Sequence, residues 1–222
     1  MINEVRGDKA QAFAALANST NLTSLVIGKI NRAGDIATLA RSGTLSSLTL
    51  HLGVGRASAG LAALAALAAM PALEHLSLQG WDERVPVTAG DIAALCAKPL
   101  KSLNLRRLQM DAAAVAQLAA THASSLTWED GRTITDAEAA GLAANPHLSS
   151  LSLGIGMASE AGALLLARAP GLQRLEIGYS SAAPVVSRRL VTDAWTAAGK
   201  MLADLAADIF DDDGEGMAPL WA

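Results

Sequence analysis

The sequence has little thiol, little aromatic surface and no long apolar run. A lone cysteine, Cys96, excludes an internal disulfide framework and suits a reducing compartment. Four Trp, two Phe and one Tyr in 222 residues are too few for a core built around aromatic clusters. The longest apolar stretch, Ala59 to Leu73, is mostly Ala and is broken by Pro71. A membrane span needs roughly 20 apolar residues, so none is expected. Charged residues make up 17% with a formal net charge of −4, which argues against a nucleic-acid or anionic-lipid surface as partner. Met1–Arg6 runs into Gly7-Asp8-Lys9 without an apolar core or small-residue cleavage site, so no cleavable signal peptide is expected.

What is present is Ala and Leu, which dominate a hydrophobic content of 51%. That content excludes wholesale disorder and points to one small packing unit used repeatedly. The unit is L-x-x-L-x-L. It occurs at Leu22/Leu25/Ile27, Leu45/Leu48/Leu50, Leu73/Leu76/Leu78 and Leu100/Leu103/Leu105. It continues as Ala123/Leu126/Trp128, Leu148/Leu151/Leu153 and Leu172/Leu175/Ile177. The opening positions Leu22, Leu45, Leu73, Leu100, Ala123, Leu148 and Leu172 advance along the chain in nearly even steps. Near-even steps of this length are the signature of a stacked repeat.

Each copy has the same grammar. Its L-x-L end alternates apolar and polar, the period of a strand with one buried face. An Ala/Leu-rich stretch at helical spacing follows, as at Ile36/Leu39/Ala40, Ile92/Leu95/Cys96, Val115/Leu118/Ala119 and Leu164/Leu165/Ala169. Thr135-Asp-Ala-Glu138 fits a capping box, and Asp91, Asp111 and Asp136 stand where a helix start favours a carboxylate. A strand and a helix fitted into one such step are too short for a Rossmann unit, which takes about 30 residues or more. The expected fold is α/β: a right-handed leucine-rich-repeat solenoid, or horseshoe, with a parallel sheet on the concave face and helices on the convex face. Residues 1–21 are expected to form an N-terminal capping half-repeat whose Phe13 and Leu16 cover the first repeat, and 22–177 to hold seven repeats. Residues 178–209 form a loop and a capping helix from Val191 to Ile209, and 210–222 an acidic tail.

The repeat units resemble the ribonuclease-inhibitor-like and GALA classes of leucine-rich repeat. Leu148-Ser-Ser-Leu151-Ser-Leu153, followed by Glu160-Ala-Gly-Ala-Leu-Leu-Leu-Ala167, carries the likeness, which covers residues 22–177. Such repeats are known among effectors that plant-pathogenic bacteria inject into host cells. The resemblance implies a location in the cytoplasm of the producing cell or, after translocation, in a host cell. GALA proteins resemble ubiquitin-ligase adaptors, which gives a second expectation: the substrate-recognition part of a ubiquitin ligase.

Motifs for catalysis or cofactors do not assemble. Gly53-Val-Gly55-Arg-Ala-Ser58, with Asp82 beyond, mimics a dinucleotide loop but has Ser58 in place of the third glycine. His51, His75, His122 and His147 lack the Asp, Glu or Cys spacing of a metal site, and no H-E-x-x-H or G-x-S-x-G occurs. The acidic run 211–216 has Ile209 where a calcium loop ending at Gly214 needs its first Asp. No cofactor, no metal and no catalytic residue is therefore expected, and Cys96 reads as a core residue.

The remaining positions are those between the leucines, which point out of the concave face. Most are Ser, Thr or Gly, and the larger groups fall in the middle copies: His51, His75, Gln79, Asn104, Arg106 and Glu129. Beside them Trp81, flanked by charges and Pro86, is either an interface anchor or a lid on the third unit. Together these side chains are the expected partner-binding site, with Lys98, near Pro99, on the opposite side. The expected function is a non-catalytic protein–protein interaction module; a structural spacer is a third reading.

Overall fold

The computed structural model describes residues 9–30, 32–53, 64–81, 84–130, 132–154, 158–180, 188–201, 205–206 and 209–210. Helix α1 (Lys9–Ala17) precedes β1 (Ser24–Ile30), and α2 (Ala33–Leu39) precedes β2 (Ser47–Leu52). Then come α3 (Leu64–Ala68), β3 (His75–Gly80), β4 (Val85–Val87), α4 (Ala89–Cys96), β5 (Ser102–Arg106) and β6 (Leu108–Met110). The chain continues through α5 (Ala112–Leu118), β7 (Ser125–Glu129), α6 (Asp136–Ala143), β8 (Ser150–Leu153), α7 (Glu160–Arg168) and β9 (Arg174–Ile177). It closes with β10 (Tyr179–Ser180), α8 (Arg188–Ala197), β11 (Leu205–Ala206) and β12 (Ile209–Phe210).

The strands of the seven sequence copies form one parallel sheet in the order β1-β2-β3-β5-β7-β8-β9. Parallel neighbours require a crossover, and the intervening helices supply most of these connections. The leucines keep the same register at every step. One row across the sheet is Leu25, Leu48, Leu76, Leu103, Leu126, Leu151 and Leu175; the next is Ile27, Leu50, Leu78, Leu105, Trp128, Leu153 and Ile177. All of them are buried. Trp128 is fully buried in the copy that begins with Ala123 instead of Leu.

Helices cover the apolar face, and each described helix packs on the next in sequence. Ile36 and Leu39, Leu64 and Leu67, Ile92 and Leu95, and Val115 and Leu118 enter the same core as the strand leucines. Small residues set how closely the helices lie. A Cβ on Gly141 would stand 3.0 Å from the Ala119 Cβ, and one on Gly162 would stand 3.2 Å from the Ala139 Cβ. Helix starts use the expected chemistry: Glu138 accepts from the Thr135 amide and Thr135 Oγ1 from the Glu138 amide, while Asp111 accepts from the Ala114 amide. Asp91 makes a second such box with Thr88. In the turns back to the sheet, buried Asn145 donates to the carbonyls of Ala119 and Thr121 and accepts from the amides of His147 and Leu148. One side chain thus ties two successive turns together. Among the described residues no helix is long and apolar enough to cross a membrane.

Two expectations are corrected. The C-terminal helix does not run from Val191 to Ile209. Its first half buries Val191 and Trp195, but it ends at Ala197, and Gly199 takes φ +75°, a left-handed conformation that terminates a helix. Leu205–Ala206 then add a short eighth parallel strand beside β9, and Ile209–Phe210 pair with β10. Lys200 turns inward, donating to the carbonyls of Ala167 and Ala169 at the end of α7 and lying 4.2 Å from the Trp195 ring centroid. Second, the buried stripe of α7 is Gly162, Ala163, Leu166 and Ala167, so Leu165 faces solvent. Val85–Val87 and Leu108–Met110, which the L-x-x-L-x-L pattern does not mark, pair in a small parallel sheet of their own. The loop from Val54 to Gly60, Asp82 and the acidic run 211–216 lie outside the described residues.

The register predicts opposite effects for adjacent residues. Leu151→Ala empties a fully buried position and is expected to cost about 2–5 kcal/mol. Ser152→Ala, on the other face, is expected to change stability by less than about 0.5 kcal/mol. Urea unfolding of both variants measures the difference; equal losses would mean the strand phase is wrong.

Candidate functional site

A strand that buries alternate residues presents the others on its second face. In the parallel register these others also form rows, and one of them carries most of the charge: Lys29, His51, Gln79, Arg106 and Glu129 on β1, β2, β3, β5 and β7. Lys29 reaches this row through an irregularity in the pairing after Ile27. Neighbouring strands are about 4.8 Å apart, so the side chains stand abreast. All are partly or fully exposed, whereas Leu50, Leu78, Leu105 and Trp128, which directly precede the last four, are buried. Next to Glu129 the row meets Gly154, where a Cβ would lie 3.0 Å from the Glu129 Cγ. The missing side chain leaves room for the glutamate against the sheet.

Arg106 Nη2 lies 3.2 Å from Glu129 Oε1, and each side chain is 42% exposed. A pair that open to water contributes at most about 1 kcal/mol, so the two are held near each other without being locked. Arg106 Nε and, one row over, Asn104 Oδ1 are shielded from solvent and have no hydrogen-bond partner among the described residues. His75 stands apart, at the N-terminal end of β3, with Nδ1 2.8 Å from Ser102 Oγ on the next strand.

Trp81 follows β3 directly and is 41% exposed. Its ring lies across His51 of the neighbouring strand, with centroids 5.1 Å apart and planes at 57°. The tryptophan is thus a ledge beside His51, past the end of β3, not a buried lid on the third unit. Its backbone is pinned on both sides: the Trp81 amide donates to the Leu52 carbonyl, and Arg107 Nη1 donates to the Trp81 carbonyl at 3.2 Å. Arg107 has φ +55°, uncommon for a residue with a Cβ. In that conformation its amide donates to the Glu129 carbonyl and its carbonyl accepts from the Val85 amide. Arg107 is a site residue that the positions between the leucines do not reveal. The signal lay in the dibasic Arg106-Arg107 at the end of a strand.

A buried ionic cluster continues from the end of β7. Asp130 is almost wholly buried. Burial pushes its carboxyl above the usual range, against the opposing pull of Arg84, the Met110 backbone and Arg132. Arg132 grips Glu138 through two nitrogen–oxygen contacts, at 2.8 and 3.3 Å, and sits 5.5 Å from the Trp128 ring centroid. Burial pushes the Glu138 carboxyl up, but the hydrogen bonds from Arg132 and Thr135 outweigh it, and its pKa lies below the usual value. This cluster braces the turn after Glu129.

The sheet thus brings His51, Gln79, Trp81, Arg106 and Glu129 to one end of one face, with Asn104 beside them and His75 at the other end. Lys98 is a poor reference point for the far side, contrary to expectation. Its ammonium donates to the Met70 carbonyl at 2.6 Å, bonding the turn of the preceding unit. No protein-family model matches the chain, and no curated protein matches it.

Cys96 is buried on α4, and desolvation pushes its thiol to about 11. At neutral pH the thiol is protonated and a poor nucleophile. Because the folded value exceeds the unfolded one near 9.0, the stability tied to the neutral thiol is intact below pH 9 and is lost as pH rises towards 11. The loss should reach about 2–3 kcal/mol. Chemical denaturation across this range should show a steeper decline in the wild type than in Cys96→Ala; parallel declines would refute the assignment.

Proposed function

We propose that the chain is a leucine-rich-repeat solenoid whose polar sheet face is concave and binds a partner protein without catalysis. The fold part of this reading is supported by seven copies of one pattern, set at nearly even steps from Leu22 to Leu172. Strands and helices stack in sequence order, so that each unit buries its leucines against its neighbours. The observation that carries the functional part is the row His51–Gln79–Arg106–Glu129, partly exposed on four adjacent strands, with a half-exposed tryptophan against His51.

The mechanism is preorganised complementarity. The sheet fixes the backbone under these side chains in advance, so the backbone needs no ordering when an interface forms. Trp81 offers a rigid apolar surface of the kind that dominates binding energy when covered. Arg106 can exchange its exposed contact with Glu129 for a carboxylate of the partner, gaining a less hydrated charge-assisted bond. The partner chemistry that fits is an apolar side chain over Trp81 and an acidic group within reach of Arg106. The resemblance to injected effectors makes a host protein the partner to look for.

The test is binding of a partner captured on the immobilised chain and then purified. Trp81→Ala is expected to weaken binding by about 2 kcal/mol or more. Arg106→Glu, which sets two glutamates abreast, is expected to weaken it by about 1–3 kcal/mol. Arg41→Glu, exposed after α2, serves as the control and should leave affinity unchanged. Undiminished affinity for both Trp81→Ala and Arg106→Glu, in variants that melt like the wild type, would overturn the assignment of this face.

A further inference from the structure

Two histidines outside this face meet across the repeat. His122 and His147 each precede the first apolar residue of a copy, Ala123 and Leu148, so equivalent turns of successive units carry them. Both are exposed. Their ring centroids are 4.7 Å apart and their planes tilted by 55°. Two imidazoles on one cation, with bonds of about 2.0–2.1 Å, place their centroids roughly 4.5–5.2 Å apart for bond angles between about 90° and 110°. The observed separation falls inside that window.

The spacing is built into the turns. Asn145, buried between them, donates to the Thr121 carbonyl, which belongs to the peptide bond entering His122, and its Oδ1 accepts from the His147 amide. The His122 amide in turn donates to the Cys96 carbonyl of the unit before. Pro146 restricts the backbone entering His147. A side chain that fixes both ligand-bearing backbones performs the support that metal sites obtain from their surroundings.

We propose that His122 and His147 form a two-imidazole site for a borderline divalent cation of the Zn²⁺ or Ni²⁺ class. Nitrogen donors favour these ions over Mg²⁺ and Ca²⁺, which take oxygen ligands. Among the described residues no third His, Cys, Asp or Glu joins the pair, so water fills the other coordination positions. This inference does not depend on the partner-binding face and can hold if that reading fails.

The full chain is titrated with Zn²⁺ by calorimetry, with the imidazole NMR signals followed in parallel. The wild type should show a site whose occupation moves the signals of His122 and His147 but not those of His51 and His75. His122→Ala and His147→Ala should each lower the affinity of that site at least tenfold, while His51→Ala leaves it unchanged. Both residues are exposed, so the metal-free variants should melt like the wild type; His122→Gln, which keeps side-chain bulk, replaces any variant that does not. Absence of Zn²⁺ uptake, or uptake that leaves both imidazole signals unmoved or survives both alanine substitutions, overturns the proposal.

Discussion

Everything in this structure depends on the sheet keeping one register from strand to strand. In a parallel sheet, two rows of apolar side chains stack only if each copy places its leucines at the same points along the strand. A slip of one residue would expose both and bury the polar row instead. From Leu25 to Leu175 and from Ile27 to Ile177 no step departs from that register. The turns enforce it as well. Asn145 joins the fifth and sixth copies through both ends of its amide, and Lys98 and Lys200 bond the carbonyls of neighbouring turns. Such contacts are polar, sit outside the leucine rows, and lie where a helix hands the chain back to the sheet.

The same constraint creates the candidate binding face. Residues that alternate with the leucines have no choice but to stand in rows, and their chemistry is free to vary because packing does not use it. In the middle of the sheet that freedom places a cation, an anion and an aromatic ledge within a few strands of each other. Arg106 and Glu129 offset one another in water without being locked together. Behind them, the Asp130–Arg132–Glu138 cluster and the left-handed Arg107 hold the turns that carry Trp81 and Glu129. Rigid support under an exposed, weakly paired surface distinguishes this end of the sheet from the serine-rich end.

Much of this was legible from residue order because one pattern repeats. Strand positions follow from L-x-L alternation, and the helix starts at Asp111 and Thr135 follow from capping chemistry that acts within a single helical turn. The features that were not legible depend on other information. Val85–Val87 and Leu108–Met110 alternate too briefly to separate a strand from a loop. In α7 three consecutive leucines allow two helix phases, and the close approach of Gly162 to Ala139 decides for Leu166. The C-terminal stripe continued past Gly199, whose left-handed backbone outweighs the apolar spacing around it. His122 and His147 are distant in sequence, and their contact follows only from the repeat bringing equivalent turns together.

The register itself is open to direct measurement by interstrand backbone NOEs in the isotopically labelled chain. Contacts should connect Ser77 with Asn104, Asn104 with Thr127 and Thr127 with Ser152, in the pattern of parallel strands. A one-residue offset in any of these pairs, or the close α-proton contacts of antiparallel strands, would contradict the account.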